Sequence, residues 1–389
     1  MNQGKYVFAQ LTDFLPRRTF DRIVKVHNGN KHVRSFTCWN QMLCMVFGQL
    51  TARDSMRDLM LSIEAHQSKY YHLGFGPTVT RRNLGKANEK RTYKIFEEFA
   101  YALIEQARKS CYSSDFEVKV DGNVYALDST TIDLCLSVFW WAEFRKNKGG
   151  IKLHTLYDVK SSIPSFLYIS KANVHDVNIL DMIPYEAGSF YIADKAYIDF
   201  KRLNLINSKG SFFVTRAKDN FRFNRMYSRR VDKSIGVLVD QLGKLQGYKS
   251  RKYYPGKLRR IKYFDQDLQK ELIFLTNNTA LNASEIALLY KKRWEVEIFF
   301  KWLKQHLKIK SFWGTTMNAV KIQIYCAIIA YCLVAIIGNT LKVGRPIYEI
   351  LQILSISLLD KTPVREILTK YDYKDVKEQF NKQLIISGF

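Results

Sequence analysis

Acidic residues are scarce in this chain. Against 61 Lys and Arg stand 36 Asp and Glu, leaving a formal net charge of +25 over 389 residues. Such an excess calls for a polyanionic partner or a dense counterion atmosphere. Nucleic acid is the first candidate. An anionic membrane surface is the second, but the cations are spread along the whole chain rather than gathered in one juxtamembrane block. The six cysteines, Cys38, Cys44, Cys111, Cys135, Cys326 and Cys332, form no Cys-x2-Cys pair and no Cys/His group of zinc spacing. Most lie among apolar residues and read as small core fillers, which fits a reducing cytoplasm. The N-terminal M-N-Q-G-K-Y-V-F has no apolar run of signal-peptide type. One apolar run, 322–338, stands out, but it is short for a bilayer span and carries Gln323, Tyr325 and Tyr331. It reads as a buried helix of a soluble protein that makes no membrane contact.

What is present argues for a packed protein of two or three domains: 47% hydrophobic residues, 14% of the chain aromatic. Residues 1–110 show no strand alternation and read as helical, with helices beginning near Thr12/Asp13 and at Ser55. The segment V-T-R-R-N-L-G-K-A-N-E-K-R holds Arg81, Arg82 and Lys86. It suits a helix-turn-helix-like DNA reader and equally a basic solvated helix and loop.

Strand patterns begin after Ser110. Residues 116–120 and 123–127 flank Asp121-Gly122 as a hairpin, and A-L-D-S-T-T places Asp128 at a strand end. Strands at 152–159 and 164–170, a helix near 177–183 and the strand S-F-Y-I-A-D-K-A-Y follow, the last delivering Asp194 at its end. A helix (199–208) and a strand (211–216) complete the run. Residues 217–278, rich in Arg, Lys and Tyr and strongly alternating, read as a β-rich insertion facing a polyanion, or as a charged surface meander.

The stretch Y-K-K-R-W-E-V-E-I-F-F-K-W-L-K-Q-H-L-K-I-K, 290–310, predicts one amphipathic helix. Tyr290, Arg293, Glu297 and Lys304 fall within about 60° of one another, Lys301 and Lys308 extend the stripe, and Glu295 points elsewhere. A charged edge facing water would look similar. The spacing Tyr-x2-Arg-x3-Glu-x6-Lys nonetheless resembles the signature of the IS4 family of DDE transposases, and A-L-D-S-T and Y-I-A-D-K-A-Y look like that family's aspartate boxes. An insertion ahead of the last acid is a further likeness.

The resemblance, over about 120–315, implies an α/β fold. A mixed five-stranded RNase H-like sheet would be flanked by helices, with a β-rich insertion, an N-terminal helical DNA-binding domain and a C-terminal helical region. The β-β-β-α-β-α-β order agrees with it. The implied domains are 1–110, a catalytic core over 111–316 interrupted by 217–278, and 317–389. Asp128, Asp194 and Glu297 would be the catalytic acids. Three converging carboxylates suit two hard divalent cations, Mg²⁺ or Mn²⁺, which clamp the oxygens of an in-line phosphoryl displacement. Tyr290, Arg293 and Lys304, with Lys301 beside them, carry over as contacts to DNA phosphates; Arg supplies a bidentate fork and Lys a point charge. Asp133, Asp158, Asp176 and Asp199 read as structural, and His154 and His175 as packed.

The implied function is cut-and-paste transposition of an insertion sequence in a bacterial cytoplasm, near the nucleoid. The partners would be double-stranded DNA, both terminal inverted repeats and target, and a second copy of the chain on paired ends; no small-molecule substrate is called for. A metal-dependent DNA nuclease with the same core and a non-catalytic DNA-binding regulator are the alternatives. Some relatives stack a flipped base on a Trp in the insertion. Here no Trp lies between Trp141 and Trp294, so either a Tyr or Phe such as Tyr253, Tyr254 or Phe264 takes that place or the hairpin step that it serves works differently.

Overall fold

A computed structural model describes residues 4–76, 79–112, 116–145 and 148–369. They divide into two compact units, one of residues up to 103 together with those from 322 onward, the other of residues 104–321. The predicted helical region over 370–389 lies outside the described residues.

The first unit is helical. Ser55 caps the helix Met56–Glu64 by accepting from the Asp58 N–H at 3.1 Å, as its position predicts. Thr12 instead ends the helix Val7–Thr12, and the next, Arg17–Val26, starts after Pro16, whose ring fixes φ ahead of the first turn. Gln10 joins the two ends of the chain: its amide donates to the Thr362 carbonyl at 3.0 Å and accepts from the Val364 N–H at 3.0 Å. The helix Met317–Thr340 is long and apolar enough to cross a bilayer, but 94% of its most apolar window is buried, as in a core helix. Cys326 and Cys332 are among its buried residues, and all six cysteines carry free thiols.

The second unit is built on one ten-stranded sheet: β1 (Val124–Leu134), β2 (Glu143–Arg145), β3 (Lys148–Asp158), β4 (Ile163–Lys171), β5 (Phe190–Ala193), β6 (Phe212–Arg216), β7 (Phe223–Ser228), β8 (Val237–Leu245), β9 (Leu258–Asp265) and β10 (Lys270–Thr276). Its order is β2-β3-β1-β5-β6-β10-β9-β8-β7, with β4 also on β3. β1, β5 and β6 run parallel, and every other pair is antiparallel. The two faces of β1 follow the period of two. Tyr125 and Leu127 join Leu203 and Ile206 of the helix Phe200–Ser208 in a core that also holds Leu156, Tyr191 and Phe213. The helices Ala283–Lys291 and Trp294–His306 bury Leu289, Val296, Phe299 and Leu303, with Phe299 against Tyr157 of β3 at 5.1 Å.

Three expectations change. The hairpin over 116–127 does not form: 116–123 are irregular, and the strand beginning at Val124 pairs in parallel with β5. Gly122 serves close approach rather than a turn, since a Cβ there would lie 2.1 Å from the Gly188 carbonyl oxygen. The helix near 177–183 is a 3-10 turn, Asp176–Asp181. The sheet has ten strands rather than five, because β10 pairs with β6 and carries β9, β8 and β7 of the β-rich insertion on as the same sheet.

The insertion has its own buried anchor. Arg259, 1% exposed, grips Asp240 with two parallel bonds of 2.9 and 2.7 Å, and its remaining nitrogen donates to the Leu281 carbonyl at 2.6 Å. Removing one partner strands a buried charge. Asp240→Ala is therefore expected to cost about 3–5 kcal/mol, read as a lower urea midpoint at unchanged slope. A midpoint equal to that of the parent chain would show that the pair does not hold these strands.

Candidate active site

Asp128 does not end its strand, as the sequence suggested; β1 continues to Leu134. What ends there is the partner. The β1–β5 ladder closes at Leu127 opposite Ala193, so Asp128 and Asp194 are the first residues beyond the last parallel pair. Asp133 is an exposed residue within β1 rather than one beyond it.

The predicted 290–310 helix is broken. Ala283–Lys291 and Trp294–His306 are joined by tight turns in which the Arg293 N–H reaches the Tyr290 carbonyl at 3.0 Å and the Glu295 N–H reaches that of Lys292 at 3.1 Å. The second helix ends at His306, so Lys308 lies past it. The break gives Glu297 a place in the first turn of its own helix, where the positive end of the backbone dipole favours a carboxylate.

Arg293 ties the site together. Its guanidinium donates to Asp128 Oδ2 at 3.2 Å and meets Glu297 Oε1 at 2.6 Å. The Tyr290 hydroxyl donates to Asp194 Oδ1 at 3.4 Å, with the Arg293 guanidinium 5.8 Å from the Tyr290 ring centre. Tyr290 is buried and lies against Phe274 of β10 at 4.9 Å. Lys304 donates to the Thr131 carbonyl of β1 at 3.0 Å. Lys301 is exposed on the same helix. Glu295 turns away and meets Lys292 at 3.8 Å. Arg81, Arg82 and Lys86 belong to the first unit, exposed on the helix Arg81–Lys90, which Thr80 caps.

Burial pushes the Asp128 carboxyl up to about 6, and the charges of Glu297 and Asp194 push the same way. The Ser129 N–H at 2.8 Å and Arg293 pull against that rise. Burial lowers the Arg293 affinity for its proton, but Tyr290, Glu297 and Asp128 outweigh it and the guanidinium stays firmly charged. Three oxygen-only donors of this kind fit a hard divalent cation. Among the described residues no three of His, Cys, Asp and Glu stand close enough to share one ion as they are arranged, and the cation between Asp128 and Glu297 is Arg293 itself.

Sequence reasoning missed a second cluster beside the acids. Ser129 donates to Asp176 Oδ1 at 2.6 Å, Lys152 meets the same oxygen at 3.0 Å, and buried His154 lies 3.7 Å from it. Burial lowers the His154 pKa to about 4, keeping the ring neutral, and its Nε2 pairs with the Ser170 hydroxyl at 2.9 Å. The signal was the position of Ser129 directly after Asp128, facing His154 in the β1–β3 register. Asp158 and Asp199 act structurally as expected: the first accepts from Arg108 at 3.0 Å, the second caps Phe200–Ser208. Tyr254 is 1% exposed against Phe213 and cannot stack on a base, whereas Tyr253 is 48% exposed.

In sequence the chain is similar to known proteins over most of its length. Residues 120–333 match the family described as Transposase DDE domain, and residues 3–76 match one described as Domain of unknown function (DUF4372). A Sinorhizobium fredii protein named "Putative transposase y4zB" is 33% identical over 74% of this chain and 80% of its own length. The Geobacillus stearothermophilus protein "Probable transposase for insertion sequence element IS5377" is 31% identical over 64% of this chain and 65% of its own. "Putative transposase for insertion sequence element IS4SA" of Synechocystis is 24% identical over 74% and 80%. The chain is thus a DNA-cleaving and strand-transferring enzyme by class. It belongs to the DDE transposases, and the IS4 spacing of Tyr290, Arg293, Glu297 and Lys304 is consistent with that family.

The raised Asp128 pKa has a consequence for stability. A carboxyl whose folded pKa lies near 6 rather than the unfolded 3.9 favours folding below about pH 4; that contribution is lost as pH rises through 6. Asp128→Asn should therefore unfold later than the parent at pH 7.5, by on the order of 1–3 kcal/mol, and show no such gain at pH 4. Urea melts at both pH values check this. A variant less stable at pH 7.5 than at pH 4, relative to parent, would contradict the raised Asp128 pKa.

Proposed function

We propose that this chain is the transposase of an insertion sequence, nicking the ends of its element by hydrolysis and joining the freed 3′ hydroxyls to target DNA. One observation carries the reading: Asp128, Asp194 and Glu297, from three separate parts of the chain, gather around Arg293 and Tyr290. The order β1, β3, β4, then β5 and β6 alongside β1, with helices on both faces, supports an RNase H-like core. Asp128, Asp194 and Glu297 would hold two Mg²⁺ or Mn²⁺ ions, which when bound stabilise the charge on the attacking and leaving oxygens.

The chain's own groups do the positioning. Arg293 pairs with both Asp128 and Glu297, and its fork is also the shape that takes a phosphate. Tyr290 sets the direction of Asp194. Lys301 and Lys304 line the same helix beyond Glu297 and supply positive charge along the path of a strand. In this reading residues 1–110, with Arg81, Arg82 and Lys86, bind DNA, 111–316 form the catalytic core around the 217–278 insertion, and 317–389 form the helical remainder. The enzyme works on chromosomal DNA in the bacterial cytoplasm.

Asp128→Asn, Asp194→Asn and Glu297→Gln are each expected to lower Mg²⁺-dependent cleavage of element-end DNA by at least about 10²-fold, with binding retained, and Glu295→Gln to be mild. Gel assays of nicking and of strand transfer check this together. A dead Glu295→Gln with an active Glu297→Gln would overturn the assignment, and cleavage never followed by joining would make the chain a nuclease instead.

Assembly follows from the number of ends. One set of acids acts on one DNA end, whereas excision needs two. The +25 charge opposes association of free chains, and duplex DNA neutralises it. Light scattering should therefore find monomers without DNA and dimers on paired end duplexes. A tight DNA-free dimer at high dilution would sink this part of the proposal.

A further inference from the structure

The first unit contains a cavity of about 620 Å³ that the site above does not use. One wall is the loop over 27–36, the other the helix Arg81–Lys90 and the turn after it. Lys31, Arg34, Lys86, Lys90 and Arg91 line it, and no lining residue among those described is acidic. Lys31, Arg34, Lys86 and Lys90 are exposed, and among the described residues their side chains make no hydrogen bond or ion pair.

We infer that this cavity seats the phosphodiester backbone of duplex DNA. Unmatched cations held on two facing walls repel one another, and a polyanion lying between them relieves both walls at once. The free cations are long exposed side chains distributed along the cleft, not donors converging on one buried point. That distribution suits a row of phosphates better than a single small anion.

The loop is built as a rigid wall. Gly29 packs so closely that a Cβ would stand 2.5 Å from Ile95 Cδ1 and 2.8 Å from Cys38 Sγ. Asn30 Oδ1 accepts from the Cys38 N–H at 2.8 Å, and His27 pairs with Glu98 at 2.7 Å. Arg91 donates to Gln41 Oε1 at 3.0 Å and to the Phe36 carbonyl, joining the end of the helix wall to the end of the loop wall. A preorganised wall loses little freedom when a ligand enters.

The identity of the DNA as an element end rests on the transposase reading; the cavity's preference for duplex phosphates does not. The loop wall lies inside the match to a domain of unknown function at 3–76, and the helix wall lies outside it. The cleft thereby gives that domain a role in which it needs the segment that follows it. Lysine and arginine contacts to phosphates set register and affinity without reading bases. The cavity should then act alike on any sequence.

The test is the salt dependence of binding of the full chain to a random-sequence duplex and to an element-end duplex, by fluorescence anisotropy. Each phosphate contact adds about 0.9 to the slope of log affinity against log salt. Lys31→Ala/Arg34→Ala and Lys86→Ala/Lys90→Ala should each lower that slope by about 2 on both duplexes. Lys25→Ala, exposed on the neighbouring helix Arg17–Val26 but outside the cavity, should leave it unchanged. Unfolding midpoints equal to the parent's confirm that the variants are folded. Unchanged slopes in both double variants, or an equal fall in Lys25→Ala, overturn the proposal, as does loss confined to the element-end duplex. Mg²⁺-dependent cleavage by the parent chain is scored separately, so a failed cavity with intact cleavage spares the transposase reading, and the reverse outcome spares the cavity.

Discussion

Partly buried carboxylates brought from a strand and a helix to one place need a counter-charge, and for Asp128 and Glu297 Arg293 is that charge. It reaches Asp128 and Glu297 at once while standing near the ring of Tyr290, which in turn holds Asp194. Asp128 shows what the site costs: burial first, and then the charges of Glu297 and Asp194, push its carboxyl up to about 6 despite the guanidinium beside it. A buried carboxylate of this kind is eased by a proton or by a further cation. The rest of the second unit can be understood as scaffolding that holds the acids and Arg293 in place.

Part of that scaffolding is the break between the two helices. A straight helix over 290–310 would have put Tyr290, Arg293 and Glu297 on one stripe, as helical spacing suggests. The tight turns at Lys292 and Arg293 keep those three residues together while starting a new helix, whose first turn contains Glu297. Side-chain spacing in the sequence was therefore a good guide to which residues meet, and a poor guide to the backbone that brings them together. The i→i+3 turns leave no mark in the hydrophobic pattern, because Leu289, Val296, Phe299 and Leu303 still alternate as they would in an unbroken helix.

The same distinction runs through the sheet. That the strands carrying Asp128 and Asp194 lie side by side followed from the resemblance to an RNase H-like core and from no local pattern, and the structure pairs them in parallel. The false hairpin at Asp121-Gly122 was a case of right residue, wrong reason: the glycine is demanded by the backbone of Gly188, a neighbour distant in sequence that no local pattern reports. The cluster of Ser129, Lys152, His154 and Asp176 was illegible for a similar reason, because each member alone resembles an ordinary polar residue of a strand or loop. In the first unit, Ser55 announced its helix by cap chemistry, whereas the Arg17 helix begins after a proline with no side-chain cap to read.

The path from β7 to β5 is an unbroken series of backbone ladders: β7 to β8, β8 to β9, β9 to β10, β10 to β6, β6 to β5. No linker interrupts it. A side-chain contact can slide or change rotamer, but a ladder moves only by shearing a whole row of hydrogen bonds, and a slip of one residue would turn every side chain of the strand to the opposite face. The basic outer strands thus share a ruler with the strand that delivers Asp194, graduated in steps of one strand spacing. Whatever rests on those strands has its distance from the acids defined by stiffness, with no hinge to set it.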